Sequence, residues 1–153
     1  MRATVLFDLD GTLVDSIEHL RGALNATLQD YGRAALDRAT VAPMIGDGAR
    51  VLLQRALAAT GGMPDEAGED FAVLHARFLA IYQEHPADTT QPYPGVPEGL
   101  AALAAAGFAL AVCTNKPQAV TEKMLGALGL APHFAAVYGG DRLAVCKPDP
   151  APL

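Results

Sequence analysis

Two aspartates one residue apart, Asp8 and Asp10, stand at the end of a short apolar run, Ala3-Thr4-Val5-Leu6-Phe7, and are followed by Gly11 and Thr12. Carboxylates in this spacing can divide a reaction, one as nucleophile or metal ligand and its neighbour as general acid and base. Gly11 permits close backbone approach, and the Thr12 hydroxyl can bond a phosphate or close the turn. In isolation the same four residues make an ordinary acidic turn. Two later landmarks shift the balance toward chemistry. A second apolar run, Phe108 to Cys113, ends in Thr114-Asn115-Lys116-Pro117, and a lysine followed by proline, Lys147-Pro148, comes after it.

Other candidates have two readings each. Arg50, two residues beyond Gly46-Asp47-Gly48, suits a substrate carboxylate; alternatively it is a solvated side chain behind a helix start capped by Asp47 or Gly48. Lys116 either faces a substrate or lies solvated at the opening of a helix. The glycines around Asp47 are not a dinucleotide fingerprint, because no strand precedes them and the third glycine is missing. His19 and His75 fall on expected helices, His85 precedes a proline-rich connector and His133 lies in a loop. No two of them have metal-ligand spacing, so surface or boundary roles are expected. Tyr82 and Phe78, at helical spacing, are expected in a core. Cys113 and Cys146 are too far apart for a CxxC pair and read as reduced thiols.

The elements that must position these residues follow from periodicity. Ala3 to Phe7 reads as a buried strand. Asp15 with Glu18 has capping-box spacing, and Ile17, Leu20, Leu24, Leu28 and Tyr31 recur as one helix face until Gly32. Val51 to Leu57 and Phe71 to Tyr82 mark two more helices, so residues 16–90 read as a helical subdomain without strands. A polar connector between Asp88 and Pro97 leads out of it. Beyond it come a helix closed by Gly107, the strand Phe108–Cys113, a helix closed by Gly129, and a short strand at Ala135–Tyr138. Apolar strands alternating with helices imply a parallel sheet covered on both faces. Right-handed crossovers then bring the loops after Phe7 and Cys113 to one edge, where open α/β sheets bind ligands. After Lys147-Pro148 the chain reads as the approach to a helix that does not follow, so a truncated chain is expected.

Composition narrows the function classes. The 153 residues are 51% apolar and 18% charged, with 30 alanines and nine aromatics. That is too apolar for disorder and too interrupted by charge for a membrane span. Seventeen acids against 11 Lys and Arg leave a net charge of −6, which disfavours nucleic acid and anionic membrane surfaces as partners. No signal-peptide pattern opens the sequence, and a cytoplasmic protein is expected. Oligomeric state stays open.

Taken in order, the three motifs resemble the haloacid dehalogenase-like phosphohydrolases. The first stands as Val5-Leu6-Phe7-Asp8-Leu9-Asp10-Gly11-Thr12-Leu13-Val14-Asp15-Ser16, the second as Leu110 to Thr114, and the third as Lys147-Pro148. Ile45-Gly46-Asp47-Gly48, Tyr93-Pro94-Gly95-Val96 and Thr114-Asn115-Lys116-Pro117 look most like the phosphoglycolate phosphatases within that family. The resemblance implies a Rossmann-like, doubly wound α/β core formed by residues 1–15 and 91–153, with an α-helical cap inserted at 16–90. It also implies a Mg²⁺-dependent phosphomonoester hydrolase that converts 2-phosphoglycolate to glycolate and phosphate. Another small phosphate, such as a sugar phosphate or pyrophosphate, is the alternative substrate, and a non-catalytic phosphate-binding fragment the alternative role. Asp8 would be the nucleophile, and Asp10 the acid and base that argues against a dehalogenase. Thr114 and Asn115 would hold phosphoryl oxygens, with Gly11, Thr12, Arg50 and Lys116 at the substrate, and Lys147 would offset charge. Mg²⁺ would bind the Asp8 carboxylate and the Asp10 carbonyl. The family's fourth, acidic motif has no counterpart before Leu153. Asp141 precedes Lys147 and does not replace it, so the core is expected to be C-terminally incomplete, with weak Mg²⁺ binding and little turnover.

Overall fold

A computed structural model describes residues 3–62, 69–84 and 86–153. In chain order the elements are β1 (Thr4–Phe7), β2 (Val14–Asp15), α1 (Ile17–Asp30), α2 (Arg38–Val41), α3 (Ala49–Ala59), α4 (Glu69–Tyr82), β3 (Gln91–Pro92), α5 (Val96–Ala105), β4 (Ala109–Cys113), α6 (Gln118–Ala127) and β5 (Ala136–Tyr138). Short 3-10 turns lie at Ala42–Met44 and Ala131–His133.

Three parallel strands form the main sheet in the order β1-β4-β5. Phe7 pairs with Val112 and Cys113 with Tyr138, so the strands end at one level and Asp8, Thr114 and Gly139 leave from one edge. The expectation of a sheet covered on both faces holds for β4, where Leu110 to Cys113 are buried. It fails for β1. That strand takes the outer position, and Leu6 remains 46% exposed.

Two clusters of buried side chains divide the interior. Leu9, Leu13, Val14, Leu100, Leu110, Val112, Met124, Leu125 and Leu130 pack around the sheet. Leu20, Leu24, Leu28, Leu53, Leu57, Phe71, Phe78 and Tyr82 pack among α1, α3 and α4. Burying each such side chain contributes about 2 kcal/mol.

Between the clusters lies a feature that periodicity did not reveal. Val14 and Asp15 pair antiparallel with Pro92 and Gln91, and Tyr93 donates its N–H to the Leu13 carbonyl (3.0 Å). The chain thus enters and leaves the helical part through one two-stranded ribbon. The segment after Asp10 turns back sharply to reach it. Gly11, at φ 78°, sends its N–H to the Val14 carbonyl, and the N–H groups of Thr12, Leu13 and Val14 converge on Leu9. A left-handed φ of this kind favours glycine.

The start of α1 also departs from expectation. Asp15 and Glu18 do not form a capping box. Asp15 accepts weakly from the Ile17 N–H (3.3 Å) and binds Arg38 (2.8 Å), while Glu18 binds Arg21 and Arg38. Ser16 occupies the N-cap position but makes no side-chain cap bond, because its hydroxyl is directed to Asp10.

Candidate active site

Strand order and chain turns bring the two aspartates, the threonine and Lys116 into one chamber, with Lys147 reaching it through Asp8. Asp8, Asp10, Thr114, Asn115 and Lys116 line it from the sheet edge. Leu20, Ile45, Gly46, Gly48, Ala49, Leu52 and Tyr82 line it from the helical side. Its volume is about 40 Å³.

Each carboxylate has its own lysine. Asp8 Oδ1 accepts from the Leu9 N–H (2.8 Å) and lies 3.0 Å from Lys147 Nζ, which also donates to the Cys113 carbonyl (2.8 Å). Both contacts fall on Oδ1; among the described residues no donor engages Oδ2. Asp10 is held from two directions. Ser16 Oγ donates to its Oδ1, and Lys116 Nζ lies 2.9 and 3.3 Å from its two oxygens.

Of the two readings of Lys116, the solvated one fails. Its side chain is fully buried, because Pro117 starts α6 and directs residue 116 inward under the helical part. Burial lowers its pKa, and the opposing Asp10 and Asp8 charges partly restore it. Its ammonium also donates to the Tyr82 hydroxyl and sits 4.6 Å from that ring's centroid. Tyr82 lies in the helical core as expected, yet its hydroxyl end reaches the chamber, which spacing on a helix does not reveal.

His19 overturns the surface or boundary expectation for that residue. It is 7% exposed and stacks on Tyr82 with ring centroids 4.8 Å apart. Neither ring nitrogen has a hydrogen-bond partner among the described residues. Its pKa is pushed down to about 4, first by burial and then by the Lys116 charge. The ring is neutral at pH 7. His75 stacks on Phe71, and burial with the Arg50 charge lowers its pKa as well. His85 lies outside the described residues.

Thr114 is buried in the chamber wall, and its Oγ1 accepts from the Lys116 N–H (3.1 Å). Asn115 lines the chamber but its side chain is committed elsewhere. Nδ2 donates to the carbonyls of Gly46 (2.8 Å) and Lys147 (2.9 Å), and Oδ1 accepts from the Lys147 N–H (2.9 Å). The side-chain amide thus forms a clamp between the Gly46 loop and the Lys147 backbone. Two glycines make room for it. A Cβ on Gly140 would lie 2.5 Å from the Asn115 carbonyl oxygen, and one on Gly48 3.4 Å from it.

Three expected substrate residues stay outside the chamber. Gly11 and Thr12 are exposed on the turn that follows Asp10 and are not among the lining residues. Their backbone serves the turn. Arg50 lies over the Phe71 ring, 4.6 Å from its centroid, and faces a neighbouring cleft of about 230 Å³ with His75, Gln83 and Asp141. Gly48 is the N-cap of α3, as one of the two readings had it. Asp141 accepts from the Gln118 N–H (2.7 Å) and so caps α6 from a distance.

The chamber's donor set bears on metal binding. The Asp8 carboxylate and the main-chain carbonyl of Asp10 are hard oxygen donors. A magnesium ion typically takes one or two carboxylates, with water and substrate phosphate completing its shell, and this pair fits that pattern. Among the described residues no group of three His, Cys, Asp or Glu side chains could hold a metal ion.

Comparison with known proteins bears on the family. A family model described as haloacid dehalogenase-like hydrolase matches residues 5–153. A Rhodospirillum rubrum protein named phosphoglycolate phosphatase is 49% identical over 155 residues, an alignment that covers 100% of this chain and 64% of the relative. Among solved structures, a predicted phosphoglycolate phosphatase from Haemophilus somnus 129PT superposes with a TM-score of 0.89 at 35% identity, over 99% of this chain and 68% of that one. CbbY from Rhodobacter sphaeroides, solved with phosphate, gives 0.79 at 28% identity, over 99% and 69%. The chain thus spans slightly under two thirds of the length of its R. rubrum relative.

Proposed function

The chain belongs to the haloacid dehalogenase-like hydrolases, and from that membership we propose that it is built for Mg²⁺-dependent hydrolysis of a small phosphomonoester, best matched by 2-phosphoglycolate. The observation that carries the reading is the pair of carboxylates at one chamber, each on its own lysine, with Asp8 Oδ2 left unengaged among the described residues. The names of the relatives support the choice of substrate.

The residues then have separable tasks. Oδ2 of Asp8 attacks phosphorus, a P–O bond forms to Asp8, and the ester P–O bond breaks toward the leaving alkoxide. Asp10 gives that oxygen a proton. Water next attacks the aspartyl phosphate while Asp10 takes its proton, releasing inorganic phosphate and restoring Asp8. The Lys116 and Ser16 contacts fix the position of the Asp10 carboxyl group for both steps. Lys147 offsets the charge that gathers where a carboxylate approaches a phosphate. Thr114 stands beside the position of the phosphoryl group. Mg²⁺, held by Asp8 and the Asp10 carbonyl, would neutralise phosphate charge. Residues 16–90 act as a cap over a core of residues 1–15 and 91–153, and water is excluded when the Gly46 loop meets Asn115.

The test is phosphate release from 2-phosphoglycolate, glucose 6-phosphate and pyrophosphate with Mg²⁺, together with mass-spectrometric trapping of phosphate on Asp8. The expected result is release from 2-phosphoglycolate and a mass increase at Asp8, both lost about a thousandfold or more in Asp8→Asn. Equal release by Asp8→Asn, or phosphate trapped on a residue other than Asp8, would refute the proposal.

A further inference from the structure

The mechanism above makes no use of Tyr82, although its hydroxyl enters the same chamber as Asp8 and Asp10. The other side chains that the helical part contributes there, Leu20, Ile45, Ala49 and Leu52, are apolar. Tyr82 thus supplies the polar side chain on that wall. It is held firmly. Its ring is 1% exposed, stacked between His19 at 4.8 Å and Phe78 at 5.5 Å, so the hydroxyl has little freedom to move.

A hydroxyl has one proton to give and two lone pairs to accept with. The Tyr82 oxygen accepts from Lys116 Nζ, whose other close contacts are the Asp10 oxygens. The hydroxyl's own proton has no acceptor among the described residues. His19, stacked face to face with the ring, offers none, since its nitrogens make no hydrogen bond. Burial holds the phenol in its protonated form at neutral pH. A buried donor without an acceptor is costly, and a hydrogen bond accepted from a cation strengthens the remaining O–H as a donor.

We propose that Tyr82 is a substrate-binding residue whose hydroxyl, polarised by the Lys116 ammonium, donates a hydrogen bond to an oxygen of the non-phosphoryl part of a small phosphate monoester. The inference rests on the phosphatase reading. The assignment to the non-phosphoryl part follows from position. Asp8, Thr114 and Lys147 define the phosphoryl end at the sheet edge, and Asp10 stands at the leaving oxygen. Tyr82 lies beyond Asp10, across Lys116, on the helical side. A carboxylate or hydroxyl placed there would take its proton, whereas a hydrocarbon would leave it unpaired.

The test uses the full chain carrying Asp8→Asn to suppress turnover, with Mg²⁺, and compares it with the same chain carrying Tyr82→Phe as well. Calorimetric Kd values are measured for 2-phosphoglycolate, ethyl phosphate and inorganic phosphate. Tyr82→Phe keeps the stacked ring and is expected to weaken 2-phosphoglycolate about tenfold, while the other two change less than about twofold. Equal weakening of all three ligands would mean that Tyr82 only props Lys116, and would overturn the proposal; so would no change in any. A second readout needs no variant at position 82. With 3-fluorotyrosine at the chain's four tyrosines, the Tyr82 fluorine resonance should shift with 2-phosphoglycolate and stay in place with ethyl phosphate. The phosphatase reading fails separately, when the Asp8→Asn chain binds inorganic phosphate but neither ester, and the Tyr82 assignment then falls with it.

Discussion

Acidification should weaken this fold through His19, and the size of the effect follows from where the ring sits. The imidazole is 7% exposed between α1 and Tyr82, without a hydrogen-bond partner, and its pKa falls from the ordinary 6.5 to about 4. Between those values the unfolded chain binds a proton that the folded chain refuses. Stability is therefore undiminished above about pH 6.5, falls as the pH drops toward 4, and levels off below it. From about pH 7.5 to about pH 5 the full shift is worth about 2 kcal/mol, and about 1 to 1.5 kcal/mol after allowing for water reaching part of the ring. His75 contributes in the same direction, so the wild-type slope alone does not isolate His19. His19→Phe does, because a phenyl ring can keep the stack on Tyr82 and cannot titrate. Urea unfolding followed by circular dichroism, at both pH values and for both proteins, gives the comparison. The variant should lose about 1 kcal/mol less than the wild type on acidification. Equal losses would refute the claim that the ring is buried and neutral.

Two further perturbations probe the loops around the chamber. Asn115→Ala removes three hydrogen bonds that join the Gly46 carbonyl to the Lys147 backbone; it should cost about 2 kcal/mol and speed amide exchange at residues 46–48 and 147. Unchanged exchange there would show that the clamp does not hold the loop. Gly140→Ala places a Cβ 2.5 Å from the Asn115 carbonyl oxygen, an overlap with backbone that should cost about 3 kcal/mol; a urea midpoint equal to wild type would contradict it.

The parts of the fold legible in the sequence were those in which one residue pattern has one physical solution. The apolar run Phe108 to Cys113, bounded by Gly107 and Thr114, reads as a strand, and β4 takes Ala109–Cys113 as the interior strand of the sheet, with Phe108 left outside it. Leu20, Leu24 and Leu28 fall on one face at helical spacing, and they are buried in α1. Chain order then brought Asp8 and Thr114 to one edge. The ribbon of β2 and β3 escaped because two residues per strand are too few to show alternation. Lys116 and Tyr82 escaped for another reason. Each obeys its local pattern, a lysine before a helix and an aromatic on an apolar face, while their contact spans 34 residues and two subdomains. The same holds for Asn115, whose identity suggested a phosphate ligand and whose partners lie 69 and 32 residues away. Ser16 offered the nearest missed signal, a hydroxyl six residues after Asp10 in a turn tight enough to bring it back.

The two-residue ribbon has a consequence for how the chain finds its sheet. Thr4 must meet Ala109, about 105 residues along the chain, and closing a loop of that length is entropically costly. Once α1, α3 and α4 have packed and Val14 lies against Pro92, the helical part no longer counts as slack. Only about 27 residues of free chain then separate the strand partners. By the logarithmic dependence of closure entropy on length, this lowers the cost by about 1 kcal/mol. The helices between the two sheet-edge motifs thus shorten the search that joins the ends of β1 and β4.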